Sequence, residues 1–144
     1  MSLNTFGAVM SFAADIFRRS ADFYRTAASK ARDPKLRESL QGLQKEAEKH
    51  EALMEQIRRE NVSEMILEPV SGLAAEGYRT IPQLRENEVD ADFLQAAVDL
   101  ETGQQKFFAQ ASAKVCLPEA ARAFRKISDK KKTNLDCLLS LKIG

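Results

Sequence analysis

The side chains best suited to chemistry sit in the middle of apolar stripes. His50 is the one histidine of the chain. It belongs to the series Leu36, Leu40, Leu43, Ala47, His50, Met54 and Ile57, whose steps of three or four residues line one helix face. An imidazole there is either a hydrogen-bonded core histidine or a ligand, because an unpartnered polar ring is costly in an apolar interior. A second series, Phe124, Ile127, Lys131, Asn134, Leu138 and Leu141, is interrupted in the same way by a lysine and an amide. Within Lys130-Lys131-Lys132 the outer two read as solvated, whereas the phase of the stripe turns Lys131 inward. Glu101 holds the matching central place on a third helical stretch.

Other chemistries find no support. Gly72 and Gly77 have neither the spacing nor the following Lys-Ser/Thr of a phosphate loop. Nothing places Cys116 or Cys137 beside His50 as a nucleophile pair. The two cysteines form no CxxC, and 21 residues along one helix would hold them roughly 30 Å apart. They read as free thiols packed in a reducing compartment. A formal net charge of +1 gives no electrostatic case for nucleic acid or an anionic membrane. No apolar run approaches the roughly 20 residues of a membrane span. The first residues lack the pattern of a signal peptide, so a cytoplasmic location is the expectation.

Positioning these groups requires helices. The 144 residues, 44% hydrophobic and 30% charged without tryptophan, suit one all-α domain. Apolar spacing predicts helices at about 4–31, 34–60, 91–114 and 118–142. Asp33-Pro34 and Leu117-Pro118 mark the second and fourth starts. Between them, 61–90 is broken by Pro69, Gly72, Gly77 and Pro82 and suits a crossover, with a short helical piece near Leu73–Tyr78. The halves repeat at a constant offset of 84: Ala13-Ala14-Asp15-Ile16-Phe17 lies over Ala97-Val98-Asp99-Leu100-Glu101, Phe23-Tyr24 over Phe107-Phe108, and Pro34 over Pro118. Two duplicated helical hairpins joined by a crossover make a four-helix bundle. The same offset pairs Phe17 with Glu101, Ala47 with Lys131, and His50 with Asn134.

This arrangement resembles the rubrerythrin branch of the ferritin-like superfamily over about residues 10–141, including Ala21-Asp22-Phe23-Tyr24-Arg25-Thr26-Ala27-Ala28 of the first helix. The resemblance implies a ferritin-like bundle in which each hairpin offers a Glu seven residues before a Tyr or Phe, then a Glu-x-x-His. Four carboxylates and two histidines then enclose two irons. Carried over by position, the first-helix Glu is Phe17, the second-helix Glu is Ala47, and its histidine is kept as His50. The third-helix Glu is kept as Glu101, while the fourth helix has Lys131 and Asn134 in place of Glu and His. Glu46 and Glu48 stand one residue off and rotate about 100° from the inward stripe.

The replacements are mutually consistent. Phe17 is a bulky plug opposite the small Ala47. Lys131 brings a positive charge towards Glu101, so the two are expected to pair, with His50 or Asn134 hydrogen-bonding nearby. The expected function is therefore that of a rubrerythrin-like protein with a degenerate di-iron site, non-catalytic and without cofactor, acting through binding or association. The alternative is an oxidoreductase holding iron or another divalent metal at His50 and Glu101. A third class places an apolar ligand in the bundle or in a groove under the crossover near Tyr78, although Met54, Met65 and the phenylalanines read first as core. The resemblance also implies side-by-side pairing as a homodimer, for which Leu3, Phe6, Val9 and Phe12 offer a second apolar edge. The identity of any protein or small-molecule partner is not written in these residues.

Overall fold

Thr5 opens the first helix: its backbone is extended and its Oγ1 accepts the Ala8 amide at 3.1 Å, satisfying one of the donors a helix start leaves free. The helix α1 spans Phe6–Lys30. Asp33 caps the next start, its carboxylate accepting the Lys35 and Leu36 amides, and Pro34 stands at the first helical position of α2, Pro34–Glu60. The helix α3 spans Asp90–Lys114 and α4 spans Pro118–Leu139. Val89 has no capping side chain, and Asp92 instead reaches back to accept the Val89 amide at 2.9 Å. The computed structural model describes residues 3–61, 69–73, 81–82, 84–85 and 87–141. Among these the fold is all-helical, apart from an isolated bridge between Thr5 and Pro69.

The helices form two hairpins, α1 on α2 and α3 on α4, completing a four-helix bundle. The duplication is visible in the boundaries, since α3 begins and ends 84 residues after α1, and α4 begins 84 residues after α2. It is visible in the packing as well. Gln104 Nε2 donates to Ser20 Oγ at 2.7 Å across equivalent positions of the two halves. The stacked pair Phe17–Phe108 is the repeat image of Glu101–Tyr24. An approximate two-fold axis thus runs between α1 and α3. At the turn end of the bundle, the Asp90 carboxylate accepts the backbone amides of Arg32 and Asp33, fastening the second hairpin to the first.

Two hydrophobic clusters fill the interior. One gathers Phe6, Met10, Phe17, Met54, Phe107, Phe108 and Phe124, and the other gathers Tyr24, Leu36, Leu40, Phe93, Leu100 and Leu138. The structure differs from the sequence expectations in three places. Leu3, Phe6, Val9 and Phe12 are buried within the chain and do not form a free apolar edge, because crossover residues lie over the start of α1. There Leu3 N donates to Leu73 O and Val70 N to Asn4 O, with Val70 and Leu73 themselves buried. The fourth helix ends at Leu139, and Leu141 is half-buried beyond it. Both cysteines are free, but they are exposed and take no part in packing. Met54 is fully buried core, whereas Met65, Tyr78 and most of the Leu73–Tyr78 piece lie outside the described residues.

Candidate functional site: a buried polar layer

Where the two apolar clusters meet, every helix contributes a polar side chain. Along α2 this is Glu46, between Leu43 and Ala47; along α4 it is Lys131 and Asn134, between Ile127 and Leu138. The centre is Glu101 on α3, whose side chain is 0% exposed. Its Oε2 accepts the Tyr24 hydroxyl at 2.8 Å and the Lys131 ammonium at 3.0 Å, and its Oε1 accepts Asn134 Nδ2 at 2.8 Å. Asn134 Nδ2 also donates to Glu46 Oε1 at 2.7 Å. Lys131 Nζ lies 3.7 Å from the same oxygen, and Lys130 Nζ stands 3.8 Å from Glu46 Oε2.

The expected Glu101–Lys131 ion pair is therefore present. Asn134 takes the neighbouring hydrogen-bonding role, and His50 does not. Two carboxylates face two ammonium groups, so the layer balances its charge within the protein, the condition for keeping such groups out of water. Phe17, fully buried, closes the layer on one side. Its ring stacks on Phe108 at 5.1 Å, meets His50 at 5.1 Å, and lies 5.6 Å beneath Lys131 Nζ, within cation–π range. Ala47 is fully buried in the same cluster.

Two members were missed by the sequence reading. Tyr24 served there as a landmark for counting, but its hydroxyl is a donor to Glu101. Burial first, and then the adjacent carboxylate, push its pKa well above the usual phenol value, so it remains an O–H donor. The repeat held the available signal, because a two-fold relation makes the residue at 24 face the one at 101. Glu46 was placed about 100° off the inward stripe, yet its side chain is only 15% exposed. Its flexible stem swings into the gap between α2 and α4, where Asn134 and two lysines draw it in.

His50 is half-buried rather than central. Its Nδ1 is buried with no hydrogen-bond partner among the described residues, an arrangement that costs on the order of 1–3 kcal/mol. Burial first, then Lys131, Lys49 and Lys130, lower its pKa to about 4, so the ring is neutral at pH 7. The proton-linked contribution is fully present above the ordinary value of 6.5 and is lost as pH falls towards about 4, because the unfolded chain takes up the proton first. Allowing for partial exposure, the loss attributable to this ring is about 2 kcal/mol. His50→Leu should remove that increment. Between pH 7 and pH 4.5 the wild type should lose about 2 kcal/mol more stability than the variant by urea denaturation, and equal losses would contradict this.

The donor set does not suit the pair of metal ions that the family resemblance implies. Both Glu101 oxygens are already taken by Tyr24, Lys131 and Asn134, and a dication at Glu101 would displace or confront the Lys131 ammonium. Among the described residues, no group of three or more His, Cys, Asp or Glu side chains is placed to hold a metal. The carboxylates, the Lys131 ammonium, the Asn134 amide and the Tyr24 hydroxyl are bonded to one another across the bundle, an arrangement that can hold the four helices in register. The chain matches no protein-family model, no curated protein and no solved structure among those compared. No helix of the described residues is long and apolar enough to cross a membrane.

Proposed function

We propose that this protein is a rubrerythrin-like, ferritin-like bundle whose di-iron site has become a structural ion-pair layer, and that it acts by binding or association rather than by catalysis. The observation that carries the reading is the bonding of Glu101, the one ligand-type carboxylate kept at its position. It is buried, and both of its oxygens are occupied by protein donors, one of them a lysine. Phe17 and Ala47 fill the places of two further carboxylates with apolar volume.

A second reading, a metal-dependent oxidoreductase using His50 and Glu101, has one observation in its favour: His50 is neutral and its Nδ1 is unpartnered. The two readings separate on metal linkage. A ligand that binds only the folded state raises the melting temperature, and the rise grows with the logarithm of ligand concentration above its Kd. Excess ferrous iron, manganese or zinc should shift the melting temperature of the purified chain by less than about 1 °C. A rise of several degrees that disappears in Glu101→Gln would establish the second reading instead.

A further inference from the structure

Beyond the Glu46 bridge, α2 and α4 leave a cleft of about 700 Å³. That volume is within the range of small-molecule sites. Its wall is mostly apolar, with Leu53 from α2 and Ala123 and Ile127 from α4. Its rim is cationic: Lys49 stands on α2, and Arg122, Lys126 and Lys130 follow one another along α4 at steps of four. Such spacing puts like charges side by side on one helix face, which weakens the helix unless something offsets them. Lys130 has Glu46 as its counter-charge. Lys49, Arg122 and Lys126 have no ion-pair partner among the described residues, although Glu119 shares the rim. His50 forms part of the same wall and carries the unpartnered Nδ1.

From this juxtaposition we propose that the α2–α4 cleft binds a free anionic amphiphile, a single apolar chain or ring system ending in one carboxylate or sulfonate. The apolar body would lie along Leu53, Ala123 and Ile127, where its burial supplies most of the affinity. The anionic head would lie among Lys49, Arg122 and Lys126, offsetting charges that otherwise repel one another. Charge selects the ligand here: an apolar molecule of the same length without the head leaves the cationic rim uncompensated. The assignment supplies a ligand class for the binding role proposed above and rests on that role. It does not depend on the core being metal-free, so a metal found at Glu101 would overturn the earlier reading and leave the affinity of the cleft where it is.

The test uses the purified full chain with anilinonaphthalene sulfonate as a fluorescent anionic probe, and with decanoate and decanol as competitors. Saturable probe binding is expected, displaced by decanoate at least about tenfold more effectively than by decanol. The exposed double substitution Arg122→Glu with Lys126→Glu should weaken the probe by at least about tenfold while the chain still unfolds cooperatively at a temperature no lower than that of the wild type. Ala52→Trp, at an exposed position on the cleft wall, should exclude the probe while preserving the fold. Equal competition by decanol and decanoate would overturn the proposal, as would unchanged affinity in the charge-reversed variant. Pelleting of the chain with phosphatidylglycerol vesicles in place of binding to monomeric decanoate would also overturn it, since a membrane surface would then be the partner. So would sedimentation showing that the face is closed by a second copy and takes no probe.

Discussion

Replacing Lys131 with methionine should lower the unfolding free energy by about 3–5 kcal/mol at pH 7. The ammonium is 2% exposed and sits 3.0 Å from a carboxylate that is itself fully buried. Removing it leaves Glu101 with hydrogen bonds from Tyr24 and Asn134 but no counter-charge, and an uncompensated buried charge is among the most expensive defects a core can carry. Most of that loss belongs to the orphaned carboxylate and not to the pair itself. The double variant Glu101→Gln with Lys131→Met should therefore recover more than half of it, since Gln still offers an acceptor to Tyr24. Urea denaturation of the two single variants and the double variant gives the coupling directly. Additive losses would mean that the two side chains do not depend on each other, contrary to their geometry.

Phe17→Ala is the second large effect, with an expected cost of about 3–5 kcal/mol. The ring has no exposure and contacts Phe108, His50 and Lys131 together. Truncation removes its apolar surface from the core and opens a cavity next to the charged layer. It also strips the π-face from beneath Lys131, so the loss should exceed that of truncating a ring with only apolar neighbours. Phe17→Leu, which keeps most of the volume, should cost markedly less. Loss below about 1 kcal/mol in Phe17→Ala would show that the plug does not pack as described.

Much of the fold was legible because its signals are local. Prolines at helix starts and stripes with steps of three and four act within a few residues of where they stand. Expected and observed helix boundaries therefore agree to within three residues. The repeat extended this reach, since one offset aligned both hairpins and brought Glu101 and Lys131 into the same layer. What escaped depends on distances between helices, which periodicity does not encode. Glu46 reaches inward because α2 and α4 are far enough apart for a long side chain to bridge them. His50, on a correctly phased stripe, faces the cleft left by that same separation and so is only half-buried. Leu3, Phe6 and Val9 looked like an edge because the segment that covers them lies some 60 residues away in the chain.

The core itself is tested most directly by the metal content of the chain. Protein should be expressed with added iron, purified without a chelating column or histidine tag, and measured by plasma mass spectrometry. A layer closed by Glu101, Lys131, Asn134 and Tyr24 predicts fewer than about 0.1 metal ions per chain, unchanged in Glu101→Ala. One or two irons per chain, lost in that variant, would contradict it.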